Sequence, residues 1–155
     1  MSYEIAQQRI EAARRQGSVR LNLSGLGLEE LPPELFALTQ LRVLWLSDNQ
    51  LTSLPPEIGV LRRLERLRLN KNKLTVLPSE FGELAELREL WLHENQLIAF
   101  PDTFWRLTQL RTLVLNGNRL AELPAAIAHL LELRVLGLGC YIRLRGKFLD
   151  SGAGN

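Results

Sequence analysis

The chain has 155 residues, a one-domain length, and 36 of them are leucine against three tryptophans, two tyrosines and five phenylalanines, a balance that suits a narrow core filled by one residue type. A net charge of +2 and a pI near 9.0 give weak support to a nucleic-acid or membrane partner. The lone Cys140 excludes an intramolecular disulfide framework or multi-cysteine zinc site, and fits a reducing compartment.

The opening stretch MSYEIAQQRIEAARRQ is too polar for a signal peptide, and no run approaches a membrane span, so a cytoplasmic protein is expected. Residues 2–16 are predicted helical, because Tyr3, Ala6, Ile10 and Ala13 fall on one stripe at three- and four-residue spacing. Arg14 and Arg15 sit where they favour the helix dipole, and Gly17 is placed to end the helix. Residues 1–17 therefore read as an N-terminal cap over an open core, with a docking helix as the alternative.

From about Ser18 the chain repeats every 23 residues. Leu41 opens LRVLWLSDNQLTSLPPEIGVLRR, Leu64 opens LERLRLNKNKLTVLPSEFGELAE, Leu87 opens LRELWLHENQLIAFPDTFWRLTQ and Leu110 opens LRTLVLNGNRLAELPAAIAHLLE. A less regular unit precedes them from Arg20, with Leu21, Leu23, Leu28 and Leu31 in the apolar slots, and a partial one begins at Leu133. Residues 18–139 thus form about five and a half repeats, and a fixed period of this size marks a solenoid. Residues 140–155 read as a tail or partial cap, ordered in part against the last repeat and then disordered.

The L-x-L step has strand spacing. Leu44 and Leu46 should point inward while Val43, Trp45 and Ser47 face the other way, so that stacked strands form a parallel sheet over leucines of the return segment. Asn49, Asn72, Asn95 and Asn118 share one register. A side-chain amide both donates and accepts, so these four should form a ladder that satisfies the backbone of a buried turn. Pro32, Pro55, Pro78, Pro101 and Pro124 share another register; lacking a donor, this segment should not be a sheet strand but an extended piece leading into a short helical turn.

These residues resemble the leucine-rich repeat family over about residues 18–139. The 23-residue length and LPxx step resemble intracellular repeats of the Ras-suppressor and Scribble type. The stretch RIEAARRQGSVRLNLSGLGLEELPPEL resembles the start of the repeat region in bacterial Roco proteins, where a Ras-like GTPase follows; the chain itself contains no G-x-x-x-x-G-K-[ST] phosphate loop. The resemblance implies an α/β solenoid: a right-handed curved superhelix with a concave parallel sheet, an irregular or 3-10 convex side and an N-terminal capping helix. It also implies a non-enzymatic module that binds a protein partner on its concave face.

That face should carry three columns. The central one is Asn22, Trp45, Arg68, Trp91, Val114 and Gly137, and its Trp45–Arg68–Trp91 triplet is spaced for cation–π stacking. Exposed tryptophan and arginine are enriched at binding hot spots, which makes this triplet the leading partner site, with Val114 beside it. Val43, Arg66 and Glu89 belong to the adjoining column with Arg20, Thr112 and Val135, and His93 to the next with Ser24, Ser47, Asn70, Asn116 and Gly139. Arg42, Arg88, Arg111 and Arg134 form a further basic column, interrupted by Glu65; nucleic-acid binding through it is not expected, since arginine stems can cover a sheet edge.

No catalytic residue, metal site or cofactor is expected. His93 and His129 lie in different registers, and Cys140 has no histidine at a fixed distance. Two alternatives stand beside the interaction module. One is the recognition portion of a larger bacterial effector or Roco-like signalling protein. The other is homodimerisation through the C-terminal edge, where Leu136 and Leu138 would lie near solvent.

Overall fold

The computed structural model describes residues 2–138 and the backbone of residues 143–144. Helix α1 (Ser2–Gln16) stops at Gly17, which takes a φ of 59°. Ser18 N–H donates to Ala13 O at 3.0 Å and Gly17 N–H to Arg14 O at 3.4 Å, a Schellman closure of the last turn. Ala6, Ile10 and Ala13 are buried and Tyr3 is half-buried, so the apolar stripe covers the first repeat. Arg9 Nη1 donates to Asn22 O at 3.0 Å, occupying an acceptor that the outer strand would otherwise present to solvent.

Six short strands follow, each carrying the L-x-L step: β1 (Arg20–Asn22), β2 (Val43–Trp45), β3 (Arg66–Arg68), β4 (Glu89–Trp91), β5 (Thr112–Val114) and, after the two-residue β6 (Glu122–Leu123), β7 (Val135–Gly137). They form one parallel sheet in the order β1-β2-β3-β4-β5-β7. The register advances by one repeat per strand, pairing Leu21 with Leu44, Leu44 with Leu67, Leu67 with Leu90 and Leu90 with Leu113. Behind the sheet, Leu44, Leu46, Leu51, Ile58, Leu61 and Leu64 are fully buried, and the same slots recur along the stack. The structure is the α/β leucine-repeat solenoid expected from the pattern.

The prolines work as N-caps. Each of the 3-10 turns Pro33–Ala37, Pro56–Val60, Ser79–Glu83, Asp102–Arg106 and Ala125–His129 starts directly after a register proline. Each proline carbonyl accepts from the N–H three residues on, at 2.9–3.1 Å. At this position the missing proline N–H costs nothing, because the first turn of a helix leaves its donors unpaired.

The asparagines bridge neighbouring repeats. Asn72 Nδ2 donates to Leu46 O at 2.9 Å in the preceding repeat and to Leu69 O at 3.0 Å in its own, while its Oδ1 accepts from Leu51 N–H at 3.1 Å. Asn95 repeats this with Leu69 O, Leu92 O and Leu74 N–H, and Asn118 with Leu92 O, Leu115 O and Leu97 N–H. Asn49 Oδ1 also accepts from Leu26 N–H, so the repeat in which Leu26 stands in the asparagine slot is served by its neighbour.

Two backbone demands lie outside the sequence-based expectations. The residue before the ladder slot is left-handed in five successive repeats: Gly25, Asp48, Lys71, Glu94 and Gly117 have φ of 70°, 55°, 58°, 56° and 72°. Glycine in that slot at both ends is the signal the sequence offers. The second demand is close approach of the 3-10 turns. A Cβ on Gly59 would meet Glu80 O at 2.7 Å, and one on Gly82 would collide with the Thr103 carbonyl and side chain. Gly82→Ala is therefore expected to destabilise the fold by about 1–3 kcal/mol through overpacking; urea denaturation checks it, and an unchanged midpoint refutes the close packing.

The structure also corrects the reading of the C-terminal half. β6 is a strand in the convex return, paired in parallel with β8 (Arg143–Leu144) through Glu122–Arg143 and Leu123–Leu144. It is compatible with the proline register because it ends before Pro124, whose missing donor falls outside the pairing. Leu138, expected near solvent, is buried, which removes half the ground for a C-terminal dimer; Leu133 and Leu136 are partly exposed. The expectations for Gly139, Cys140 and the rest of the tail beyond Leu144 lie outside the described residues.

Candidate functional site

The strand registers place the central and adjoining columns as the repeat arithmetic requires, and the third starts just beyond the strands, with Ser24 Oγ 3.0 Å from Ser47 Oγ. Asn22 is paired with Trp45, Trp45 with Arg68, Arg68 with Trp91, Trp91 with Val114 and Val114 with Gly137. Parallel pairing at 23-residue offset puts the same repeat position side by side, so the alternation of the strand turns one sequence slot into one row of side chains.

Arg68 is clamped between the two tryptophans. Its Cζ lies 4.2 Å from the Trp91 ring centroid and 5.8 Å from that of Trp45. The guanidinium is held from the adjoining column as well: Glu89 stands 3.9 Å from Arg68 and 3.7 Å from Arg66. The tryptophans, expected to be exposed, are half-buried, because arginine covers one face of each ring. Val43 needs a similar correction. It is 9% exposed, in a groove lined by Arg20, Arg42, Glu65 and Arg66, and offers little surface. Val114 is half-buried at the end of the stripe, and a Cβ on Gly137 would meet its Cγ1 at 3.1 Å.

Among the described residues, the tight packing leaves Arg68 Nε, Trp91 Nε1, Asn70 Oδ1 and His93 Nδ1, on β3, β4 and just beyond them, covered and without a hydrogen-bond partner. Nothing in the sequence signals this cluster beyond the bulk of two tryptophans in one column. The His93 ring lies 5.7 Å from Trp91. Burial holds the His93 pKa below its usual 6.5, Glu94 opposing the shift and Lys71 adding to it. The folded state thus favours neutral imidazole, so its stabilising contribution is complete above pH 6.5 and declines as pH falls through the depressed folded value. His93→Gln is expected to flatten the loss of melting temperature between pH 7 and pH 5.5; an identical loss in both proteins refutes the assignment.

At the N-terminal edge of the strands, Glu65 bridges the basic column. It lies 3.9 Å from Arg42 and 3.5 Å from Arg88, so the interruption seen in the sequence is a tie between two arginines. Arg20, Arg111 and Arg134 are exposed and have no ion pair among the described residues. On the convex side, Trp105 is buried with its ring 5.1 Å from Phe104 and 5.5 Å from Phe100, a packing role. His129 ends a convex 3-10 turn, remote in register from His93. Among the described residues no three His, Cys, Asp or Glu side chains converge as a metal site, and no helix is long and apolar enough to cross a membrane.

Residues 62–120 match a leucine-rich repeat model and residues 40–61 a second one, a continuous stretch covering more than half of the chain. The chain belongs to the leucine-rich repeat family. These leucine-rich repeats are similar to the solved structure of a Leptospira interrogans leucine-rich repeat protein, with 29% identity and a TM-score of 0.66 over 87% of this chain. The chain spans 46% of the length of that protein. No match was found among the curated proteins. The matches concern the repeat itself and select no branch within the family, neither the Ras-suppressor type nor the Roco type.

Proposed function

We propose that this leucine-rich repeat array is a non-enzymatic interaction module that takes a protein partner on its concave face, centred on Trp45, Arg68 and Trp91. The observation that carries the reading is the Trp–Arg–Trp clamp itself. Its residues stand on the outer face of the sheet and contribute nothing to the leucine core behind it. Two rigid aromatic anchors around one cation is the composition of an interface centre, and Arg66, Glu89 and His93 give it a polar rim. Little rotamer entropy is left to lose on binding, because Glu89 and the rings already hold Arg68.

Affinity capture from lysate tests this, with the Trp45→Ala, Arg68→Ala, Trp91→Ala triple variant beside wild type and circular dichroism verifying its fold. Partners retained by wild type should be lost, at least tenfold, from the variant. Equal retention would move the site off the concave face. A second reading draws on the length comparison: a chain spanning 46% of its structural relative fits the recognition portion of a larger protein, and the concave face would serve it in the same way.

A further inference from the structure

Charge is divided unevenly over the molecule. The concave strand columns and the edge column beside them carry seven arginines (Arg20, Arg42, Arg66, Arg68, Arg88, Arg111 and Arg134) and two glutamates, Glu65 and Glu89. That is +5 on one side of a chain whose net charge is +2, so everything else carries −3. The two glutamates sit in the middle, Glu65 beside Arg42 and Arg88 and Glu89 beside Arg66 and Arg68, and offset half of the charge of those four arginines. The arginines without an ion pair among the described residues stand at the ends: Arg20 in β1, and Arg111 and Arg134 at the starts of β5 and β7.

We infer that the partner segment seated on this face is acidic and extended. This rests on the concave-face reading and adds to it a chemistry and a length. From β1 to β7 is five strand steps, or about 24 Å at about 4.8 Å per step, and an extended chain at about 3.3 Å per residue crosses that distance in about seven residues. Carboxylates toward both ends of such a segment meet Arg20 and the Arg111–Arg134 pair, while an apolar or aromatic residue between them lies over the Trp45–Arg68–Trp91 clamp. Arginine favours carboxylate because its planar fork of donors matches two oxygens. A protein segment is preferred over nucleic acid because Glu65 and Glu89 stand in the middle of the track, where a continuous phosphate chain would meet like charge.

Panning a display library of random octapeptides against the immobilised wild-type chain tests the inference. The recovered peptides should carry at least three more acidic than basic residues. A recovered peptide should bind Arg111→Glu/Arg134→Glu at least tenfold more weakly, and should weaken with salt as charge pairing requires. Neutral or basic peptides that are lost in Trp45→Ala/Trp91→Ala would overturn the acidic assignment and leave the concave-face reading standing. Peptides indifferent to the tryptophan variant would overturn that reading too. A library without binders, or a dT12 oligonucleotide bound as tightly as the best peptide, would overturn the acidic-segment inference.

Discussion

Asn72→Ala is expected to lower the unfolding free energy by about 3 kcal/mol, the upper end of what an unsatisfied buried partner costs. The side chain is 7% exposed and serves three backbone groups in two repeats: Leu46 O, Leu69 O and Leu51 N–H. Alanine strands the buried Leu51 N–H, and it takes one of two amide donors from Leu46 O and from Leu69 O, which keep Asn49 and Asn95 respectively. Because a solenoid is held by contacts between neighbours, the lesion falls on the coupling between repeats as much as on one repeat. Equilibrium unfolding in urea should therefore show a lower midpoint and a broader transition. Asn118, half-buried and nearer the end of the array, should cost less when changed to alanine, about 1 kcal/mol. Equal midpoints for wild type and Asn72→Ala would contradict the ladder.

Phe81→Ala is expected to cost about 3–5 kcal/mol, the range for truncating a buried aromatic. Phe81 is fully buried and its ring is stacked on Phe104 with centroids 6.0 Å apart. Phe104 in turn lies 4.5 Å from Phe100 and 5.1 Å from Trp105, so the cavity opens at one end of an aromatic cluster under the convex turns. The surroundings cannot collapse into it, since the turns before and after are already at closest approach around Gly59 and Gly82. Phe81→Leu keeps most of the volume and should cost about 1 kcal/mol, because neighbouring repeats fill this slot with Leu35, Ile58 and Ile127. Thermal denaturation of both variants checks the pair; equal losses would mean that ring stacking rather than volume sets the stability.

Whatever depends on position within the repeat is legible in the sequence. The inward leucines, the asparagine ladder, the proline-started turns and the two strand-borne concave columns all derive from a 23-residue offset and the alternation of a strand, and each takes its place in the structure. What depends on distance between side chains is not legible there. Periodicity places Trp45, Arg68 and Trp91 in one row, but the burial of their rings and the stranding of Arg68 Nε and Trp91 Nε1 come from how two large rings and one guanidinium fill that row. Glu65 looks like a break in a basic column and is a bridge, because its neighbours in space are 23 residues away on both sides. β6 is invisible for another reason: its partner β8 lies where the repeat has dissolved and no register extends.

The most direct test of the concave-face account is hydroxyl-radical footprinting of the array with and without a captured partner. Oxidation of Trp45, Trp91 and His93 should fall several-fold in the complex. Buried Trp105 should stay unreactive in both states, and exposed Val60 and Ile98 on the opposite side should be unchanged. Protection of Val60 and Ile98 with unaltered oxidation of Trp45 and Trp91 would contradict it.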